Sequence, residues 1–141
     1  MKRSLQALAV ASALSLGVIT TSAADKKLDP SKLPPAATSA APITYEKDIK
    51  PIFEKSCVKC HSGDKPKSKL DLTTLANAIK GGKNAPNIIP GKSGESTLVY
   101  AIANIGDEDD FMPPPNNKAK IAPLTKEQIG IIRAWIDQGA K

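Results

Sequence analysis

The sequence predicts a small all-α domain of about four helices joined by long loops. Apolar residues recur at helical spacing in four segments between residues 45 and 139. The last of these segments begins with a capping pattern and ends at a glycine. No pair of neighbouring segments shows the alternating pattern of paired strands. Together, these observations predict helices around one core.

The first 42 residues divide into two segments that we expect to lie outside the domain. Lys2 and Arg3 precede an apolar run over residues 5–19, and small residues follow at 22–24, which is the pattern of a secretory signal peptide over residues 1–24. The run is shorter than the ~20 residues of a membrane span, so we expect no integral membrane segment in the mature chain. Residues 25–42 are rich in Pro, Ala, Ser and Lys and predict a flexible leader. The domain then covers residues 43–141.

The first predicted helix lies in "TYEKDIKPIFEKSC". Its apolar stripe is formed by Tyr45, Ile49, Ile52 and Phe53, and Ser56 continues the same face. Pro51 limits where the regular part begins, because a helix accepts proline best in its first turn.

Two shorter helices are predicted next. In "DLTTLANAIKGG" Gly81 is the expected end, and in "SGESTLVYAIANIG" Ser93 is the expected N-cap and Gly106 the end. The predicted buried face of the earlier helix comprises Leu72, Leu75, Ala76 and Ile79.

The last segment, "LTKEQIGIIRAWIDQGAK", carries the strongest helix pattern. Thr125 and Gln128 predict a capping box, with Leu124 and Ile129 at the positions of a hydrophobic staple. Gly139 is the expected end. The predicted buried stripe comprises Ile129, Ile132, Trp135 and Ile136.

Both cysteines and the single histidine of the chain lie in "SCVKCHSG", residues 56–63. Cys57-x-x-Cys60-His61 is the signature of covalent haem attachment, in which two thioethers hold the porphyrin and the imidazole binds the iron. A structural zinc site needs a fourth ligand. A redox thiol pair needs a βαβ setting, and a simple disulfide leaves the histidine unexplained. The expected export signal favours haem c over these three alternatives.

Met112 in "DFMPPPNN" is the candidate for the second axial ligand. Without a second histidine, bis-histidine ligation is excluded, and Met112 is the only methionine besides Met1. A thioether paired with histidine is the ligand set of many cytochromes c. Pro113, Pro114 and Pro115 would keep its loop extended and stiff. The alternative is a methionine that fills a gap in the core.

The chain resembles class I monohaem cytochromes c, and it is most similar to the planctomycete-type cytochrome c domain. The resemblance rests on "DIKPIFEKSCVKCH", "KLDL", "IIPGKSGESTLVYAI", "MPP" and "WIDQGA", which extend over most of residues 43–141. It implies helices packed around one covalently bound haem c, with the first and last helices crossing. It also implies that a proline carbonyl, here that of Pro86, accepts a hydrogen bond from His61.

These patterns predict an extracytoplasmic, periplasmic cytochrome that carries single electrons and is not an enzyme. The expected partners are a redox protein donor and an acceptor, with a dehydrogenase or an oxidase as candidates. The alternative is a haem-based gas sensor or peroxidase-like enzyme with an open sixth iron position. The expected pocket wall comprises Ile88, Ile89, Leu98, Ile102, Phe111 and Trp135.

The charge pattern suggests one class of partner. The formal net charge is +6, and many lysines flank the cysteine motif, whereas an acidic run occupies residues 107–110. This asymmetry favours docking to an acidic redox partner, although a solvated lysine-rich surface explains it equally well. Nucleic-acid binding is not expected, because aromatic residues are not interleaved with the basic ones.

Overall fold

The computed structural model of the chain describes residues 28–141, and the predicted signal peptide lies outside these residues. Within the described part the regular elements are helical and no strand occurs, which confirms the all-α prediction. The α-helices are α1 (Lys50–Ser56), α2 (Leu75–Lys80), α3 (Thr97–Ile102) and α4 (Lys126–Asp137). A π-helical turn, Tyr45–Ile49, leads directly into α1. Long loops carry the rest of the described chain.

The first helical segment buries the predicted stripe. Tyr45, Ile49, Ile52 and Phe53 are all buried, and Pro51 lies in the first turn of α1, where its missing N–H costs no helical hydrogen bond. This stripe forms one half of the core.

Helix α4 supplies the other half of the core and confirms its predicted limits. Thr125 and Gln128 form the reciprocal capping box, and the Trp135 ring is fully buried with its centroid 5.9 Å from that of Tyr45. The carbonyl of Lys141 accepts hydrogen bonds from the Tyr45 N–H at 3.0 Å and from the Trp135 indole N–H at 2.9 Å. The start of the domain and its last helix therefore cross, as the resemblance implied.

The two middle helices differ in detail from the prediction. Helix α2 begins after Thr74, which caps it, and buries Ala78, whereas Ala76 is exposed. Helix α3 ends at Ile102, well before Gly106, because Asn104 takes a positive φ of 54° that stops the helix. Leu72, Leu75 and Ile79 contribute to the core as predicted, so only Ala76 is wrong for α2, whereas the predicted end of α3 is wrong by four residues.

Ser93 is not the N-cap of α3, because Ser96 occupies that position. The Ser93 hydroxyl instead donates to the Asp137 carboxylate at 2.9 Å and accepts from Arg133 Nε at 3.2 Å. Its backbone N–H also donates to Asp137, at 2.9 Å. Ser93 therefore joins the loop before α3 to the end of α4.

Residues 28–37 form an N-terminal strap that packs against α4. Leu33 is buried in the core, the Ala37 N–H donates to the Gly130 carbonyl at 2.9 Å, and Arg133 Nη1 donates to the Pro34 carbonyl. The expectation of a flexible leader is therefore corrected for these residues, because they make specific contacts with a helix of the core. Residues 25–27 lie outside the described part.

Within residues 28–141, no helix has both the length and the apolar character needed to cross a membrane.

Candidate functional site

The cysteine motif directly follows α1 and forms part of the lining of a cleft. The Cys57 N–H donates to the Phe53 carbonyl at 2.7 Å, which continues the helical pattern by one residue. The N–H groups of Cys60 and His61 then both donate to the Cys57 carbonyl, at 3.1 and 3.0 Å. This tight turn places Cys57, Cys60 and His61 on the lining of the same cleft.

His61 is buried and its ring orientation is fixed by the backbone. Nδ1 lies 3.2 Å from the Leu70 carbonyl oxygen. A carbonyl only accepts hydrogen bonds, so Nδ1 carries the proton and Nε2 keeps the lone pair with which a neutral imidazole binds a metal. Burial lowers the pKa of the His61 imidazole, although backbone hydrogen bonds at Leu70 and Lys67 oppose this shift. A fixed ring orientation and a neutral imidazole both suit a ligand of haem iron.

The carbonyl that pairs with the His61 ring is that of Leu70, and not that of Pro86 as the resemblance implied. Pro86 is exposed and does not line the cleft, whereas the Leu70 carbonyl occupies the position expected of a proline carbonyl. The loop before α2 brings Leu70 back over the cysteine motif, and the Leu72 N–H donates to the His61 carbonyl at 2.9 Å. The hydrogen bond that orients the imidazole therefore comes from a different loop.

The loop that carries Leu70 packs closely against Gly82. A Cβ at Gly82 would lie 2.5 Å from the Ser68 carbonyl oxygen and 2.9 Å from the Leu70 Cβ. The Lys83 N–H also donates to the Ser68 carbonyl, at 2.6 Å. A side chain at position 82 would therefore displace the segment that carries the Leu70 carbonyl.

Met112 reaches the same cleft from the loop that follows α3. Its N–H donates to the Ala101 carbonyl at 3.0 Å, and its half-buried side chain lines the cleft together with His61. Pro113 is buried, while Pro114 and Pro115 are exposed. The structure thus brings the proposed second ligand to the cleft although it lies far from the cysteine motif in sequence.

The inner surface of the cleft is mainly apolar. The cleft has a volume of about 250 Å³, and part of it is open to solvent. Besides the four predicted haem-binding side chains, its apolar lining includes Leu70, Leu72, Leu98, Ile102, Ile105 and Leu124.

The donor set fits a covalently bound haem. Two thiols, one neutral imidazole and one thioether line a single apolar cleft, which is the combination that a His/Met-ligated haem c requires. Within residues 28–141, no three His, Cys, Asp or Glu side chains are grouped so as to hold a metal ion. The cysteine motif is therefore not arranged as a zinc site.

Both cysteines are free thiols in the structure. Burial, followed by the nearby Cys60, raises the pKa of the Cys57 thiol from 9.0 to about 12. Redox-active thiol pairs need the opposite, a thiol whose pKa is lowered so that the thiolate attacks. The environment of Cys57 therefore disfavours the redox alternative.

The predicted pocket wall is only partly correct. Leu98 and Ile102 line the cleft. Ile88 and Trp135 are buried in the core behind it, and Ile89 and Phe111 are partly exposed and do not line it.

Three lining or supporting residues were missed in the sequence. Leu28 of the strap lines the cleft, but it stands alone in a segment without apolar periodicity. Leu70 lies in the "KLDL" stretch, which suggested a likeness but no role. Asn117 lies in the loop of Met112 and lines the cleft. Its sequence signal is that of a turn-forming residue shortly after three prolines.

The cleft has charged groups at its rim. Lys83 lies among the lining residues, and Asp107 and Asp110 line another part. All three are exposed. The exposed rim is therefore basic in one part and acidic in another.

Comparison with known proteins gives one match. The family model described as planctomycete cytochrome C matches residues 57–116, which include the cysteine motif, α2, α3 and Met112. No curated protein and no solved structure matches the chain. The match includes all four predicted haem-binding side chains and supports a cytochrome c-type domain over residues 57–116.

Proposed function

We propose that this protein is an extracytoplasmic, periplasmic monohaem c-type cytochrome that carries single electrons between redox partners. The observation that carries the proposal is that Cys57, Cys60, His61 and Met112 all line one cleft. The match to planctomycete cytochrome C supports the same cofactor. The expected signal peptide supports export, since haem c is attached outside the cytoplasm.

Each residue of the cleft has one task in this proposal. Cys57 and Cys60 would hold the porphyrin through their thiols, and His61 and Met112 would be the ligands of its iron. The haem supplies a one-electron ferrous–ferric couple when bound. The Leu70 carbonyl orients the imidazole and increases its basicity. The apolar lining excludes water, so little solvent reorganises when the charge changes.

The alternative with an open sixth position is less well supported. Met112 is anchored to Ala101 through its backbone N–H and already lines the cleft. No histidine other than His61 occurs in the chain, so an imidazole acid–base group of the peroxidase kind is absent. The arrangement favours a carrier with two protein ligands.

A visible spectrum of the exported protein, oxidised and reduced and with and without carbon monoxide, tests the function. We expect a c-type haem spectrum with the long-wavelength methionine–iron band and no response to carbon monoxide. Rapid carbon monoxide binding would favour the sensor or enzyme. A purified protein that holds zinc and no haem would contradict the proposal altogether.

We also propose that the partner docks at the lysine-rich surface around the cysteine motif. This surface comprises Lys55, Lys59, Lys65, Lys67 and Lys69, all of which are exposed. Lys50 belongs to the same region, but it pairs with Glu46 at 2.8 Å. Exposed charges of one sign beside a redox centre increase the rate of encounter with a partner of the opposite sign at low salt.

Charge-neutral variants test this docking surface. We expect the combined change of Lys59, Lys65 and Lys67 to Gln to lower the second-order rate of electron transfer with an acidic redox protein at low ionic strength. The difference should vanish at high salt, where the charges are screened. The matched control changes Lys32, Lys126 and Lys141, which are also exposed but lie on other elements. Equal effects of the two sets would show that only net charge matters.

A further inference from the structure

The loop that carries Met112 has little regular structure to hold it. Residues 111–125 connect the acidic turn Glu108–Asp110 with α4, and irregular segments of this length are uncommon in a small domain unless they serve a function. The proline run at its start cannot donate backbone hydrogen bonds. The Met112 N–H is held by the Ala101 carbonyl, so the position of the rest of the loop depends on contacts made further along it.

Asn117 makes most of these contacts with one side chain. Its Nδ2 donates to the carbonyls of Pro114 and Ile121, each at 3.0 Å. Its Oδ1 accepts from the Ile121 N–H at 2.7 Å. The amide thus joins the end of the proline run to Ile121, which itself lines the cleft.

The backbone of Asn117 makes two further hydrogen bonds within the loop. Its backbone N–H donates to the Pro114 carbonyl at 3.1 Å, and its own carbonyl accepts from Lys120 at 3.1 Å. Asn117 also lines the cleft, as does Leu124, at which the loop enters the core. A single residue therefore links Pro114 to Ile121 in a loop that lines the cleft.

We propose that Asn117 is the positioning residue for Met112: its amide holds the loop closed and so keeps the thioether within reach of the iron. This inference rests on the proposed His/Met ligation. Without the amide, the part of the loop between Pro113 and Leu124 retains only two backbone hydrogen bonds, those from the Asn117 and Lys120 N–H groups. A weak thioether ligand dissociates more readily from a loop with so little support.

The test compares haem-loaded wild-type protein with Asn117→Ala, Asn117→Asp and the control Asn116→Ala. Asn116 is exposed, and its side chain has no hydrogen-bond partner within residues 28–141. The readouts are the methionine–iron band and the rate of carbon monoxide binding to the reduced protein, with circular dichroism to verify folding.

For Asn117→Ala we expect a weaker band and about a tenfold larger fraction of protein that binds carbon monoxide rapidly, since one lost net hydrogen bond of ~1.4 kcal/mol corresponds to that factor. Asn117→Asp keeps the acceptor for Ile121 but sets a carboxylate oxygen against the Pro114 and Ile121 carbonyls, so we expect a change of the same sign that is at least as large. Asn116→Ala should match the wild type. If Asn117→Ala does not fold, Asn117→Asp decides by the same readouts.

Combination with Met112→Ala separates positioning from general stability. If Asn117 acts through Met112, adding Asn117→Ala to Met112→Ala should leave carbon monoxide binding unchanged. A further acceleration in that background, or a wild-type band in Asn117→Ala, would overturn the inference. A wild-type protein that already binds carbon monoxide and lacks the band would instead refute the His/Met ligation itself.

Discussion

Replacement of Gly130 by alanine has two opposing effects on the free energy of unfolding. Gly130 lies inside α4, where alanine favours the helix by about 1 kcal/mol relative to glycine. In the folded chain, however, a Cβ at this position would lie 2.9 Å from the Pro35 carbonyl oxygen and 3.4 Å from the Ala37 N. These are backbone atoms of the strap, which cannot move aside by rotating a side chain.

The magnitude follows from what the strap loses when it shifts. Its hydrogen bonds to Gly130 and from Arg133 contribute about 1 kcal/mol each. Burial of Leu33, 7% exposed, contributes about 2 kcal/mol. Full detachment would cost about 4 kcal/mol, from which the helical gain of about 1 kcal/mol is subtracted. We expect Gly130→Ala to destabilise the protein by about 1 to 3 kcal/mol.

Denaturant unfolding of the haem-loaded protein measures this change. A matched pair of proteins that begin at Thr38 lacks the strap, and there the same substitution should stabilise by up to about 1 kcal/mol. The sign of the effect should therefore reverse with the strap. Stabilisation of the full-length protein by Gly130→Ala would refute the packing of the strap against α4.

Three further substitutions address the core and the site. Thr125→Ala removes the capping box of α4 and should lower the unfolding free energy by about 1 kcal/mol in urea titrations; an unchanged midpoint would contradict the cap. Tyr45→Phe removes the hydroxyl that donates to the Leu72 carbonyl at 2.9 Å and should cost about 1 to 3 kcal/mol. Burial raises the pKa of Tyr45 from 10.0 to about 12, so its stabilisation is present below pH 10 and is lost as the pH rises to about 12. Unfolding measured across this range should show a smaller loss in Tyr45→Phe than in the wild type. Gly82→Ala should displace the Leu70 carbonyl, weaken its hydrogen bond to the imidazole and raise the midpoint potential. An unchanged potential in a redox titration would contradict this link between Gly82 and the His61 imidazole.

Local patterns were sufficient where one helix carries its own signals. Helix α4 has a capping box, a continuous apolar stripe and a terminal glycine, so its limits and its buried face were predicted together. The cysteine motif is equally local, because five consecutive residues suffice to predict the proposed haem attachment. These features need no knowledge of the rest of the fold.

Features that depend on distant segments were not predictable in the same way. The strap has one well-buried apolar residue, Leu33, and its position is set by the missing side chain of Gly130 on another element. The resemblance implies Pro86 as the partner of His61, whereas the Leu70 carbonyl makes this hydrogen bond. Composition identifies neither contact, because each is a property of two segments that meet only after folding.

The pairing of Tyr45 with Trp135 also bears on the order in which the domain is assembled. A chain delivered from its first residue onward presents the cysteine motif long before α4, and α1 alone is too short to be stable in water. We therefore expect the thiols to be accessible from all sides while the last helix is still absent. Trp135 and the Lys141 carbonyl complete the core only when α4 has folded, which, under the proposed function, would follow attachment of the porphyrin. Late folding of α4 would thus give the enzymes of haem attachment an interval in which to act.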